Sequence, residues 1–136
     1  MIQIVGLDHI QLAMPVGGET EARQFYGTLL GLTEVPKPEP LVKRGGCWFE
    51  GGNVWLHLGV EEAFVPARKA HPGLRVSDLE AARRTLEGAG FAIRPDLSVP
   101  GVRRFYVSDP FGNRLEFIQE GDGFSQHSYR DATDND

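Results

Sequence analysis

The chain has 136 residues, of which 40% are hydrophobic and 24% are charged, and its formal net charge at pH 7 is −5. These values indicate a single soluble domain with an ordinary core, and the negative charge disfavours nucleic acid or an anionic membrane as a partner. A single cysteine, Cys47, excludes an intramolecular disulfide. No signal peptide and no apolar run of membrane-spanning length is evident, so we expect a cytoplasmic protein.

The first half of the chain predicts a strand, a helix and a further group of strands. Residues 7–14 (LDHIQLAM) alternate polar and apolar side chains, and residues 21–32 (EARQFYGTLLGL) place apolar side chains at helical spacing before Gly31 ends the helix. The Pro-rich residues 36–40 predict a loop. Residues 47–60 (CWFEGGNVWLHLGV) predict strands joined by a Gly-Asn turn.

The second half repeats this order of elements. Residues 70–76 predict a strand, residues 80–91 (EAARRTLEGAGF) predict a helix that ends at Gly90, and residues 103–119 predict strands around a second Gly-Asn turn. The two helices lie 59 residues apart in the sequence. Such an internal repeat predicts two modules of the same architecture, with a boundary near residues 61–69.

The helix of the second half has two candidate N-caps. Ser77 and Asp78 both precede it, and Ser77 with Glu80 has the spacing of a capping box. We predict one domain over residues 1–120, made of modules at about 5–60 and 70–120. A polar tail over residues 121–136, predicted to be partly disordered, follows that domain.

Polar residues share one face of the predicted strands, opposite the aliphatic residues expected to pack against the helices. These polar residues are His9, His57, His71 and Glu116. His57 and Glu116 are 59 residues apart, as the helices are, and His9 and His71 are 62 apart. The longer strand–helix loop of the first half accounts for the difference. If the halves are related by a pseudo-twofold axis, all four side chains could converge.

Three imidazoles and one carboxylate form a reasonable ligand set for Fe, Mn, Ni, Co or Zn, and two His with one carboxylate suffice for non-haem Fe(II). Any one of these residues by itself is more often a hydrogen-bonded or exposed strand residue than a ligand. The matched set favours a divalent metal site. The fourth histidine, His127, lies in the tail and is expected to be solvated.

These features resemble the vicinal oxygen chelate superfamily, which includes glyoxalase I, extradiol dioxygenases, fosfomycin-resistance thiol transferases and bleomycin-resistance proteins. The resemblance covers about residues 5–120. It rests on GLDHIQLAMP, ARQFYGTLLGL, HPGLRVSDLEAARRTLEGAG and FYVSDPFGNRLEFIQ. It implies an α+β fold in which two tandem βαβββ modules form a cupped mixed β-sheet with helices on the outside. It also implies a homodimer, with each metal site built within one chain or across two.

The resemblance assigns roles to particular residues. It implies that His9, His71 and Glu116 are metal ligands. His57 stands where glyoxalase I normally has a fourth ligand, a glutamate, so lactoylglutathione lyase activity is in doubt. His57 could instead be the acid–base catalyst that extradiol enzymes carry at a comparable place. Tyr106 matches a substrate-facing tyrosine, with core packing as the equal alternative.

Further residues are candidates for the substrate pocket: Gln11, Trp48, Phe49, Trp55 and Phe105. For the four aromatic residues core packing is the alternative, and it is the preferred one for most of them. Gln11 replaces a substrate-contacting threonine of the fosfomycin enzymes, which weakens that interpretation. We therefore predict a metal-dependent enzyme that acts on a small molecule through vicinal oxygens, by dioxygenase-like or lyase/isomerase chemistry. The alternatives are a metal-free, bleomycin-resistance-like binding protein and, less favoured, a fosfomycin-type thiol transferase. Neither nucleic acid nor a membrane is an expected partner.

Overall fold

A computed structural model describes residues 1–122 of the chain. The predictions that His127 is solvated and that the tail is partly disordered concern residues that lie, apart from 121 and 122, outside the described part. The chain divides into two compact units, Met1–Pro66 and a second that begins at Ala67. This division falls within residues 61–69, where the repeat placed the boundary.

Unit 1 contains a four-stranded mixed sheet and a wide helix. Its elements are β1 (Ile10–Met14), α1 (Glu19–Ala22) continued by a π-helical segment (Arg23–Leu29), β2 (Thr33–Val35), a 3-10 helix (Glu39–Arg44), β3 (Cys47–Gly51) and β4 (Val54–Val60). The strand order is β1-β4-β3-β2, with β1 parallel to β4 and the other neighbours antiparallel.

Unit 2 repeats this topology. Its elements are β5 (Gly73–Val76), α2 (Leu79–Gly88), β6 (Arg94–Pro95), β7 (Arg104–Ser108) and β8 (Arg114–Gln119). The strand order is β5-β8-β7-β6, again with one parallel pair, β5 and β8. The predicted α+β class and the tandem βαβββ modules are confirmed.

Strands β3, β4 and β7 bury alternate residues, as the parity of the sequence predicts, whereas β8 buries four consecutive residues, 115–118. In unit 1, Phe49, Leu56 and Leu58 are each at most 1% exposed, and the ring of Tyr26 lies 5.8 Å from that of Phe49. In unit 2 the buried apolar strand residues are Phe105, Val107, Leu115, Phe117 and Ile118, and Glu116 is buried as well. The opposite strand positions include three of the predicted site residues, His57, Tyr106 and Glu116.

Several element boundaries differ from the prediction. The first and fifth strands begin at Ile10 and Gly73, so His9 and His71 precede their strands. The first helix begins earlier, at Glu19, and widens to π-helical geometry, in which the N–H of Leu30 donates to the carbonyl of Phe25. A 3-10 helix begins inside the predicted 36–40 loop, since a short turn also satisfies backbone groups beside prolines.

The N-cap of α2 is Asp78, whose carboxylate accepts a hydrogen bond from the N–H of Ala81 at 3.0 Å. Ser77 therefore does not cap this helix, and the capping box with Glu80 is absent. The Glu80 side chain instead pairs with Arg83. Extended backbone at Asp78 (φ −141°, ψ 95°) aims its carboxylate at the first turn of the helix.

Candidate metal and substrate site

The predicted ligands occur as one pair in each unit, at the same place in the topology. In unit 1, His57 on β4 pairs with Gln11 on β1, and His9 lies two residues before Gln11. In unit 2, Glu116 on β8 pairs with Gly73 on β5, and His71 lies two residues before Gly73. The repeat found in the sequence is therefore a repeat of strand register. His9 corresponds to His71, and His57 corresponds to Glu116.

The two residues of unit 2 are in direct contact. Nε2 of His71 lies 2.9 Å from Oε1 of Glu116, and the side chain of Glu116 is only 8% exposed. The contact does not require glycine at residue 73, because a Cβ there would lie at ordinary van der Waals distances, 3.8 Å from Oε1 of Glu116 and 3.4 Å from the Ile118 side chain.

The other ring nitrogen of His71 is already engaged. Nδ1 lies 2.7 Å from the carbonyl oxygen of Lys69, which can only accept, so Nδ1 carries the ring proton. A neutral imidazole held in this tautomer presents the lone pair of Nε2 to Oε1 of Glu116. Two acceptor atoms repel each other at a distance of 2.9 Å unless a cation lies between them. That cation is either a proton or a metal ion.

His9 is oriented in the same way. Its Nδ1 lies 2.7 Å from Oδ1 of Asp8, a carboxylate that can only accept a hydrogen bond. Nε2 of His9 is therefore left as the nitrogen with the lone pair. A histidine that donates one nitrogen to a carboxylate or a backbone carbonyl is the common arrangement in metal sites, because it orients the ring for ligation. Asp8 and the carbonyl of Lys69 have equivalent roles in the two units.

Arg104 holds the second oxygen of Glu116. Its Nη1 donates to Oε2 of Glu116 at 3.0 Å, and its Nη2 donates to Oδ2 of Asp96 at 3.0 Å and to Oγ of Ser98 at 3.2 Å. The Arg104 side chain is 10% exposed. Each oxygen of Glu116 thus has its own partner, which leaves Oε1 directed at His71.

His57 lies in a stack of three rings. The indole of Trp48 is parallel to the imidazole, with 3.8 Å between ring centres and 2° between planes, and His9 stacks at 4.3 Å and 21°. Burial lowers the pKa of His57, and repulsion from a charged His9 lowers it further. A lowered pKa keeps the imidazole neutral near pH 7, so it can accept a proton or ligate a metal.

Unit 1 contains a cleft of about 810 Å³ beside this stack. Its walls include four of the five pocket candidates, Gln11, Trp48, Phe49 and Trp55, together with His9 and His57. Trp55 is 46% exposed, which is unusual for so large an apolar side chain. The aromatic walls suit a ring or another flat apolar group.

The structure corrects the fifth pocket candidate, Phe105, which lies in the core, the alternative given for the aromatic candidates. It is 2% exposed, and its ring lies 5.5 Å from that of Phe117 on the core side of the unit 2 sheet. Its strand neighbour Tyr106 points the other way, because successive residues of a strand alternate. Phe49 is likewise a core residue, 1% exposed, with only an edge at the unit 1 cleft.

Tyr106 lies on the same face as Glu116. The two residues are paired across β7 and β8, and the ring of Tyr106 meets that of His71 edge-on at 5.2 Å. Tyr106 therefore lies on the face opposite the core residues Phe105 and Val107.

Sequence reasoning missed four contributors: Asp8, Asp96, Arg104 and the Lys69 carbonyl. For Arg104 a signal existed, because it lies two residues before Tyr106 and so shares its face. Asp8 is a sequence neighbour of His9. Asp96 and the carbonyl left no signal. Among residues 1–122, no group of three or more His, Cys, Asp or Glu side chains is placed to hold a metal ion.

Comparison with known proteins agrees with this architecture. Residues 6–117 match the model of the Glyoxalase/Bleomycin resistance protein/Dioxygenase superfamily. The chain belongs to this superfamily, as the resemblance predicted. No curated protein matches the chain. Across residues 1–122, no helix is long and apolar enough to cross a membrane.

Solved structures give a similar result. A crystal structure of a protein from Bacillus anthracis, described as belonging to the glyoxalase family, is 51% identical over 88% of this chain and 98% of its own, with a TM-score of 0.83. Lactoylglutathione lyase from Agrobacterium tumefaciens is 19% identical over 82% and 92% (TM-score 0.61). The antibiotic-binding protein TnmS3 from a Streptomyces species is 22% identical over 85% and 98% (TM-score 0.61). The last two share the fold alone.

Proposed function

We propose that this protein is a metal-dependent enzyme of the glyoxalase/dioxygenase superfamily that acts on a small substrate through two vicinal oxygens. The proposed ligands of a divalent ion are His9, His71 and Glu116. The observation that carries the proposal is the contact between Nε2 of His71 and Oε1 of Glu116 at 2.9 Å, with Nδ1 of His71 already donating to Lys69.

The chemistry and spacing of these atoms fit a metal ion. Two neighbouring ligand atoms, each about 2.1 Å from an ion and about 90° apart, are separated by about 3.0 Å. The separation of Nε2 and Oε1 agrees with that value. Arg104 on Oε2 leaves Glu116 as a ligand through one oxygen, and hydrogen bonds of this kind commonly orient carboxylate ligands.

A bound divalent ion with open positions would supply Lewis-acid polarisation of the substrate oxygens. The chain's own residues would then orient the substrate and move protons. His57, with its lowered pKa, is the proposed general base, because a neutral imidazole can take a proton near pH 7. Its stack with Trp48 keeps the ring in one orientation beside the unit 1 cleft. Tyr106 is the proposed substrate-facing hydroxyl of unit 2.

Two reaction classes suit these residues, dioxygenase-like chemistry and lyase or isomerase chemistry. A histidine at residue 57, where glyoxalase I normally has a glutamate, argues against lactoylglutathione as the substrate. A metal-free binding protein is the alternative from another class. The aromatic walls of the unit 1 cleft, Trp48 and Trp55, favour it as the second candidate, because they suit stoichiometric capture of a flat ligand.

Metal content distinguishes these alternatives. The full chain, purified without an affinity tag or a chelator, is analysed by elemental mass spectrometry as wild type, Glu116→Gln and Glu120→Gln. Glu120 is an exposed carboxylate just beyond β8, so it controls for the change of charge. We expect about one Fe, Mn, Ni, Co or Zn ion per chain in wild type and Glu120→Gln, and loss in Glu116→Gln.

Metal identity then selects the assay. Fe or Mn directs it to catechols with oxygen uptake, and Ni, Co or Zn directs it to hemithioacetals. If wild type holds no metal even after reconstitution with each ion, the enzyme proposal fails and ligand capture takes its place.

We further propose a cytoplasmic homodimer. Four large apolar residues near the start of unit 1, Ile2, Ile4, Val5 and Leu7, are each at least 76% exposed. Exposed apolar side chains grouped in one segment are typical of a protein contact surface. Light scattering should give the mass of two chains for wild type and a smaller mass for the double variant Ile4→Lys/Val5→Lys. A wild-type monomer at assay concentrations would contradict the proposal.

A further inference from the structure

One face of the unit 2 sheet is rich in arginine. Residues paired across neighbouring strands point to the same side, and alternate residues of one strand share a side. The registers of Gly73 with Glu116, Glu116 with Tyr106 and Tyr106 with Arg94 therefore define one face, opposite the core. The basic residues on this arginine face are Arg75, Arg94, Arg104 and Arg114.

The charge of the arginine face is opposite in sign to that of the whole chain. Its four guanidinium groups meet two carboxylates, Glu116 and Asp96, and both of these pair with Arg104. The face is therefore net positive although the chain carries −5. The equivalent face of unit 1, which holds Trp48 and His57, carries no lysine or arginine at its paired strand positions.

Arg114 is the arginine of this face that is both half-buried and without a carboxylate. The ion pairs of the described residues do not include it, and its guanidinium carbon lies 5.2 Å from the centre of the Tyr106 ring. Packing against an aromatic ring orients a guanidinium without neutralising it. A half-buried, oriented and unneutralised guanidinium is a ready partner for an anion.

Arg114 is also close to the proposed metal ligand. It lies two residues before Glu116 on β8, so their Cα atoms are about 7 Å apart and their side chains share a face. A small molecule with metal-chelating oxygens at one end could reach Arg114 with the other. A single guanidinium balances a single negative charge, and its planar fork matches the two oxygens of a carboxylate.

We infer that the substrate carries a carboxylate, which Arg114 binds beside Tyr106. This inference rests on the proposed function, since it names the class of substrate: a chelating small molecule that is also a monoanion. Arg75 and Arg94 are exposed and add positive potential around the contact. Arg104 is not the binding group, because it is already paired with Glu116 and Asp96.

Matched probes test this inference. Binding of 3,4-dihydroxybenzoate and of its neutral analogue 3,4-dihydroxybenzamide is measured by calorimetry on the full chain, both metal-free and after loading with metal. The proteins are wild type, Arg114→Gln, Arg114→Lys and Arg84→Gln. Arg84 lies on α2 with a side chain 65% exposed, so its variant has the same net charge as Arg114→Gln.

We expect wild type and Arg84→Gln to prefer the carboxylate over the amide by about ten-fold or more, and Arg114→Gln to lose that preference. Arg114→Lys should keep part of the preference for the carboxylate. If Arg114→Gln does not fold, a reduced preference in Arg114→Lys tests the inference in its place. The inference is overturned if wild type binds both probes alike or neither, or if both glutamine variants lose the same affinity. If wild type takes up no metal but still prefers the carboxylate, the proposed function is contradicted and the inference about Arg114 is not.

Discussion

Arg104 and Glu116 form a buried ion pair, with Nη1 of the arginine 3.0 Å from Oε2 of the glutamate. The two side chains are 10% and 8% exposed, and the arginine is fixed from its other side by Asp96. The pair therefore orients the carboxylate that we propose as a metal ligand.

Removal of Arg104 should destabilise the fold, because it leaves the carboxylate of Glu116 buried beside no guanidinium. Arg104→Gln should lower the free energy of unfolding by about 3–5 kcal/mol, measured by urea denaturation of the metal-free chain. Arg84→Gln, which removes an exposed arginine at 3.9 Å from Glu80, should change it by less than about 0.5 kcal/mol. If Arg104→Gln and wild type had the same urea midpoint, the ion pair of Arg104 and Glu116 would contribute nothing to the free energy of unfolding.

The pH dependence of His57 follows from its burial between Trp48 and His9. In proton NMR spectra of the metal-free chain, the His57 imidazole should titrate with a pKa below the ordinary value of 6.5. Trp48→Leu should move this pKa upward, because solvation of the charged imidazole improves. A pKa at or above 6.5 in wild type would contradict the lowered value.

The same pKa shift affects stability. Between the folded pKa of His57 and its unfolded value, the unfolded chain binds more protons than the folded one. The contribution of His57 to stability should therefore fall as pH decreases through this window. A slope of the unfolding free energy against pH that is shallower in His57→Gln than in wild type would verify the sign.

The N-cap of α2 gives a prediction with a neighbouring control. Asp78→Ala should lower the free energy of unfolding by about 1 kcal/mol, because the N–H of Ala81 loses its acceptor. Ser77→Ala should have little effect, since Ser77 does not cap the helix. Chemical denaturation of both variants measures the difference. A larger loss of unfolding free energy in Ser77→Ala than in Asp78→Ala would instead support the capping box of Ser77 and Glu80.

Cys47 should be unreactive in the folded chain. It is 1% exposed on β3, and burial raises the pKa of its thiol, although the nearby Arg23 opposes the shift. The thiolate is the reactive form, so both access and ionisation are reduced. Iodoacetamide at pH 8 should label the urea-unfolded chain fully and the native chain far more slowly, with Cys47→Ala as the blank. Rapid labelling of the native chain would contradict this placement.

Much of this arrangement was predictable from the sequence, because strand parity and helix periodicity are local properties. Alternation placed Leu115 and Phe117 on one side of β8 and Glu116 on the other. The same alternation, applied one strand earlier, would have moved Phe105 into the core and brought Arg104 to the site. The aromatic type of a residue does not distinguish a pocket position from a core position, whereas strand parity does.

The sequence by itself determined the two modules, the faces of their strands and the match of His9 with His71 and His57 with Glu116, because these follow from periods of two and 3.6 residues and from an internal repeat. Only the tertiary structure decided the partners of these residues. The Lys69 carbonyl that sets the tautomer of His71, and the guanidinium of Arg104 that holds Glu116, reach their positions through strand pairing and loop paths. Those contacts join residues far apart in the chain or depend on backbone atoms, and neither leaves a local pattern in the sequence.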